Sequence, residues 1–217
     1  MSEFNKSLIF ANDLLTVRVL SVSEMDNRVY LLTHRASGGQ VLIDAADDFA
    51  AIEAFAQQAA AADCLPGLLG AGVRALFTTH SHWDHIRARP AALEAWGPVT
   101  YCGAADSASI AEQEGVQVQV QLLGGEQLTL AGIDLEVIAL RGHTPGSIAL
   151  ALRVPLGADA NAGQQVLLFT GDSLFPGGVG KTWSPEDFEQ LFADVTERIF
   201  NRFDDRTLVL PGHGDST

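Results

Sequence analysis

The chain has 217 residues, 47% of them hydrophobic and 18% charged, enough for one large domain or two small ones with a sizeable core. Its 13 basic residues against 27 acidic leave a formal charge of −14, which repels phosphate backbones and counts against nucleic-acid binding. No apolar run has the length of a membrane span, and Glu3 with the Asn12-Asp13 interruption makes a poor signal peptide, so a cytoplasmic protein without a membrane anchor is expected. The two cysteines, Cys64 and Cys102, lie far apart and near no other ligand type, as free thiols in a reducing compartment do.

In chain order, residues 14–22 and 28–33 carry the β-branched and aromatic content of strands, with Asp26-Asn27 as the turn between them. Gly38-Gly39 leads into a third short strand over 40–44, so the chain opens as an antiparallel sheet joined by tight turns. The alanine-rich stretch 47–69 reads as a helix with Pro66-Gly67 near its end. A strand over 73–77 follows, then a loop, then a second helix over 83–96 with Pro90 in its first turn and Gly97-Pro98 as its stop.

Further on come a strand at 99–102 and a short helix at 106–114 ended by Gly115. Segments 127–131 and 133–140 form a hairpin pivoting on Ala131-Gly132, and apolar strands follow at 148–154 and 165–169. Residues 155–163 between those two strands have the composition of a solvated loop. Ser184-Pro185-Glu186-Asp187 is a helix start, with an N-cap serine, proline at the first position and acids in the first turn; that helix is expected to reach residue 200. The last strand is 207–210, ahead of Pro211-Gly212-His213-Gly214. There is no interdomain linker and no solenoid repeat, so a single domain over 1–217 is expected.

What recurs is an apolar strand followed by a loop bearing His or Asp. It occurs after Phe77 (His80, His82, Asp84, His85), after Leu140 (His143), after Phe169 (Asp172) and after Leu210 (His213), and five of the six histidines lie on these loops. Imidazole and carboxylate suit zinc, iron or manganese. These seven residues are too many for one tetrahedral ion but fit two, one with three histidines and one with two histidines and an aspartate, the other aspartate bridging. A site with two ions about 3.5–4 Å apart turns water into hydroxide near neutral pH and stabilises an oxyanion, which suits hydrolysis of an ester, thioester, amide or phosphoester.

The motifs His80-Ser81-His82-Trp83-Asp84-His85, Gly142-His143-Thr144-Pro145-Gly146-Ser147, Phe169-Thr170-Gly171-Asp172-Ser173-Leu174-Phe175 and Pro211-Gly212-His213-Gly214 together resemble the metallo-β-lactamase superfamily, and most of all its glyoxalase II (hydroxyacylglutathione hydrolase) branch. The resemblance implies an α/β fold, the αβ/βα four-layer sandwich of two mixed β-sheets with metals at one edge. It implies two divalent ions, zinc foremost with iron or manganese as alternatives. His80, His82 and His143 would hold the first, Asp84, His85 and His213 the second, with Asp172 bridging and Asp84 also passing a proton to the leaving group. The implied reaction is hydrolysis of a small ester or thioester. A mononuclear-iron persulfide dioxygenase using His80, His143 and Asp172, a lactonase, and a non-catalytic metal-binding domain are the alternatives.

Two features depart from that branch. Leu140-Arg141 stands where glyoxalase II has Thr-Pro, which puts Arg141 beside the metal loop, either against an anionic substrate or as a buttress. The chain also ends four residues after His213, without the branch's C-terminal glutathione-binding helices. Trp83, Phe175, Lys181 and Trp183 complete the candidate pocket residues, Trp83 being more often a packing residue. The run Gly177-Gly178-Val179-Gly180-Lys181-Thr182 fails as a phosphate-binding loop because Phe175 stands where glycine is required, and reads as a rim loop. His34 reads as a surface histidine, and Asp44 as structural or as a partner to a ligand histidine.

Overall fold

The computed structural model describes residues 3–68, 70–155 and 163–217. A short helix α1 (Glu3–Lys6) precedes strands β1 (Leu8–Ala11), β2 (Leu15–Val22), β3 (Asn27–His34) and β4 (Gly39–Ile43). Helix α2 (Phe49–Asp63), β5 (Gly72–Thr78), α3 (Arg89–Trp96), β6 (Val99–Gly103), α4 (Ser107–Glu114) and β7 (Val120–Leu122) follow. The second half contains β8 (Gln127–Leu130), β9 (Ile133–Ala139), β10 (Ile148–Pro155), β11 (Gln164–Gly171), the small hairpin β12 (Leu174–Phe175) and β13 (Gly178–Val179), helix α5 (Pro185–Val195) and β14 (Leu208–Pro211).

These strands build two mixed sheets. The first has the order β1-β2-β3-β4-β5-β6-β7, antiparallel through β4 and parallel from β4 to β7. The second has the order β14-β11-β10-β9-β8, with only β11 and β14 parallel. Side chains alternate across each strand, and both faces are apolar. On β3, Tyr30 and Leu32 face the second sheet while Val29 and Leu31 face α2; on β10, Leu150 and Leu152 face inward while Ala149 and Ala151 lie under α5. Three apolar layers therefore separate four structural ones, the αβ/βα sandwich.

The topology decides where loops can meet. β4, β5 and β6 run parallel, so their carboxyl ends share one edge of the first sheet. β9, β11 and β14 share a direction, so theirs share one edge of the second. Those two edges are tied together: Ile148 N–H donates to Thr79 O at 3.0 Å, and Tyr30 Oη donates to Pro211 O at 2.7 Å.

Several boundaries differ from the sequence expectation. Helix α2 ends at Asp63, because the Leu65 N–H turns to Arg35 O at 2.9 Å and draws the chain out of the helix before Pro66; Leu69 lies outside the described residues. The expected helix 83–96 divides into a 3₁₀ turn (Trp83–His85) and α3, because Ala88 N–H is taken by Ala45 O and Pro90 brings no N–H to the first turn. The turn expected at Asp26-Asn27 lies one step earlier, with left-handed Ser23 and Asp26, and Asn27 already begins β3. Helix α5 gives way to a π-turn over Thr196–Phe200. The Ala131-Gly132 hairpin is found as expected, both residues having positive φ as its two-residue turn requires. β1, β7 and the β12–β13 hairpin were not anticipated, and residues 156–162 of the expected loop lie outside the described residues. No described helix is long and apolar enough to cross a membrane.

Phe169 is fully buried between the sheets, edge-on to Tyr30 with ring centroids 5.1 Å apart, three residues before Asp172. Phe169→Ala is expected to cost about 3–5 kcal/mol, read from urea denaturation; a loss below about 1 kcal/mol would mean that the inter-sheet core does not depend on this contact.

Candidate metal centre

At the shared edge the loop after β5 delivers His80, His82, Asp84 and His85, the loop after β9 delivers His143, and the ends of β11 and β14 deliver Asp172 and His213. The tight 3₁₀ turn is what turns Asp84 and His85 inward from His80 and His82. Three overlapping groups have donor atoms all within 4.8 Å of one another: His80, His82 and His143; Asp84, His85 and His213; and His80, His85 and Asp172. The first two are the two triads expected from the sequence. Asp172 lies between them, 3.4 Å from Nε2 of both His85 and His213 and 3.7 Å from Nε2 of His143.

Four of the histidines are held by their outer nitrogen. Thr79 Oγ1 donates to Asp44 Oδ2 at 2.8 Å, so its oxygen accepts from His80 Nδ1 at 3.0 Å. His85 Nδ1 donates to Asp44 Oδ2 at 2.9 Å, His143 Nδ1 to Lys181 O at 2.7 Å and His213 Nδ1 to Met25 O at 2.8 Å. These acceptors fix the tautomer and leave each Nε2 for the interior. Among the described residues, the buried Nε2 atoms of His80 and His143 and Oδ1 of Asp172 have no hydrogen-bond partner. Orphaned buried polar atoms carry a penalty of about 1–3 kcal/mol each. Three of them converging from separate loops are what a cation-binding site requires, so the donor set fits divalent metal.

Electrostatics point the same way. Burial drives the His80 pKa well down and lowers that of His82, and neighbouring imidazoles add to the effect, so both are neutral donors. Burial opposes charge on Asp84, yet hydrogen bonds from His213 and Asn27 and the charge of His85 hold it below the usual carboxylate range. Asp172 is held lower still, its burial outweighed by His213 and His85. Burial would lower His85 and His213, but contacts with Asp172 and with Asp44 or Asp84 push them up to about 9 and about 10. Two anionic carboxylates thus face two imidazoles that carry protons, and a cation held there would take the place of protons.

Glycines make room for this crowding. A Cβ at Gly212 would lie 2.2 Å from Asp172 Oδ1 and 2.8 Å from His85 Cε1. One at Gly180 would lie 1.7 Å from Asp172 O.

The candidate pocket residues divide. Trp183 is 65% exposed and stands edge-on to His82 at 6.3 Å, with Lys181 Nζ 4.1 Å from its ring centroid. Trp83 is 54% exposed under the Arg87 guanidinium. Arg141 is turned to α5, where Nε and Nη2 donate to the Asp194 carboxylate at 2.9 Å each, the buttress of the two roles considered for it. Phe175 lines an apolar cavity of about 640 Å³ with Phe188, Phe192 and Phe200. The His34 ring is bonded to Ser37, at the end of β3 opposite to Asn27.

Asn27, assigned to a turn by the sequence, belongs to the site: its Nδ2 donates to Asp84 O at 3.1 Å and Asp84 Oδ2 at 3.0 Å. No local signal marks it, because its partners lie 57 residues away.

The profile of the metallo-β-lactamase superfamily matches residues 25–155. The chain belongs to this superfamily. A hydroxyacylglutathione hydrolase of Synechococcus sp. (strain CC9605) is 33% identical over 126 residues, covering 57% of this chain and 47% of that protein. The chain thus spans about half the length of the first curated relatives it matches, 47% and 56%. Among solved structures, ETHE1 from Myxococcus xanthus superposes with a TM-score of 0.69 at 28% identity over 93% of this chain and 78% of its own. TTHA1623, solved in a di-iron-bound form, superposes with a TM-score of 0.65 at 28% identity over 92% of this chain and 93% of its own.

Asp44 has φ 58°, a left-handed conformation that asparagine tolerates, so Asp44→Asn changes the charge and acceptors but not the backbone. It is expected to weaken metal binding by about 10–100-fold, measured by competition against a chelator. Wild-type affinity would contradict the assignment of Asp44 as the residue that aims His85.

Proposed function

We propose that this chain is a metal-dependent hydrolase with a dinuclear centre, acting on a small ester or thioester in the manner of the hydroxyacylglutathione hydrolases it is similar to. The observation that carries the proposal is the gathering of two complete triads, His80/His82/His143 and Asp84/His85/His213, on either side of Asp172, with unpartnered buried donor atoms facing inward. Bound there, divalent ions supply Lewis acidity towards a carbonyl oxygen and lower the pKa of water. Five imidazoles and two carboxylates form a borderline donor set that suits zinc, and equally the iron named for TTHA1623.

The chain's own residues supply the rest. To Asp84, held by Asn27 beside the second triad, we assign the transfer of a proton to the leaving group. Trp183 and Lys181 form an exposed aromatic and cationic rim beside His82, which fits a substrate with an apolar part and a negative charge. A mononuclear-iron dioxygenase would need only three ligands and would leave the Asp84/His85/His213 triad without a task, so the hydrolase is the better reading.

The test is turnover of a panel of glutathione thioesters, other acyl thioesters and lactones by metal-loaded protein. At least one class is expected to be hydrolysed, with Asp84→Asn and Asp172→Ala each lowering kcat by about 10²-fold or more while the far-UV circular dichroism is unchanged. Full activity in both variants would sink the proposal. Oxygen uptake with a persulfide, and no hydrolysis, would establish the dioxygenase instead.

A further inference from the structure

The loop carrying His80 and His82 and the loop carrying His143 come from different sheets, yet one buried carboxylate is bonded to both. Asp106, just beyond β6 and 1% exposed, accepts from Ser81 N–H at 2.8 Å, Thr144 Oγ1 at 2.6 Å and Gly146 N–H at 2.7 Å. Ser81 stands between His80 and His82, and Thr144 directly follows His143. From α4, Gln113 Nε2 donates to Ser81 O at 2.8 Å, so the N–H and the carbonyl of Ser81 are both held.

The apposition is built into the backbone. A Cβ at Gly146 would lie 2.4 Å from Asp106 N and 2.8 Å from Asp106 Cγ, and a Cβ at Gly103 would lie 1.9 Å from Gly146 O. Two positions must lack side chains for the carboxylate to reach both loops. The other triad is secured differently, His85 by Asp44, His213 by the Met25 carbonyl and Asp84 by Asn27.

We infer that Asp106 is a positioning residue that assembles the His80/His82/His143 triad and leaves the Asp84/His85/His213 triad untouched. The inference rests on the metal-centre reading above. The two oxygens of the carboxylate accept three hydrogen bonds across the gap between the loops, so the spacing of the three imidazoles follows from its geometry. In Asp106→Asn one oxygen becomes a donor that must face a donor, and at least one of the three bonds is lost.

The test is titration of metal-free protein with Co²⁺, followed by visible absorption and by calorimetry. His82→Ala and His213→Ala serve as references for loss of the first and the second triad. Wild type is expected to show two binding events. Asp106→Asn is expected to weaken by about 10–100-fold the event that His82→Ala abolishes, to keep the one that His213→Ala abolishes, and to retain the wild-type circular dichroism. Gln113→Ala is expected to weaken the same event to a smaller degree, and it decides the matter should Asp106→Asn fail to fold. Two unaltered events in Asp106→Asn, or equal weakening of both, would overturn the inference alone; so would unaltered binding in Gln113→Ala if only that variant folds. A wild type that takes up no Co²⁺ would overturn the metal-centre reading and this inference with it.

Discussion

An imidazole has two nitrogens, and a buried one must satisfy both. In this protein His80, His85, His143 and His213 each commit Nδ1 to an oxygen of the surrounding shell: Thr79, Asp44, the Lys181 carbonyl and the Met25 carbonyl. The remaining nitrogen then has one direction left, toward the others. That constraint converts loops, which are the mobile part of most folds, into a fixed cage in which Nε2 of His80, Nε2 of His143 and Oδ1 of Asp172 are left without partners. The polar groups of the shell come from four different chain segments, so the cage exists only once the fold is complete.

The sandwich supplies what the constraint needs. Parallel runs β4-β5-β6 and the co-directed β9, β11 and β14 bring strand ends to one edge. Apolar packing between the sheets, with Tyr30 against Phe169 at its centre, holds those edges together. Charge then follows from geometry. His80 stays neutral because burial and the imidazoles of His85, His143 and His82 together outweigh Asp172, whereas His85, equally buried, is pushed up because Asp172 and Asp44 both face it. Two imidazoles with ring centroids 4.2 Å apart are thus given opposite tendencies by which oxygen each one meets.

Much of this was legible in the sequence, for identifiable reasons. Histidine and aspartate directly behind apolar strands are chemically distinctive, so His80, His82, Asp84, His85, His143, Asp172 and His213 could be named as candidate ligands, and the structure brings all of them together. The strands over 28–33 and 148–154 were visible because both faces are buried along 29–32 and 148–152, which gives apolar runs there. What escaped depends on long-range partners. Asn27 looks like a turn residue until Asp84 is placed beside it, and Asp106 looks like a helix start until two loops close on it. The break between Trp83 and α3 escaped because the Ala45 carbonyl that captures Ala88 N–H lies 43 residues upstream. Edge strands β1 and β7 escaped because they are short, and β1 is half exposed, so neither carries a strong periodic pattern.

The central claim is that the inward-facing donors form a site for two metal ions, and the number of ions carried bears on it most directly. Elemental analysis of protein purified without chelator or added metal is expected to give about two divalent ions per chain, zinc alone or mixed with iron and manganese. About one iron per chain and little else would contradict the dinuclear account, and protein that carries no metal and takes none up on incubation would contradict the metal centre altogether.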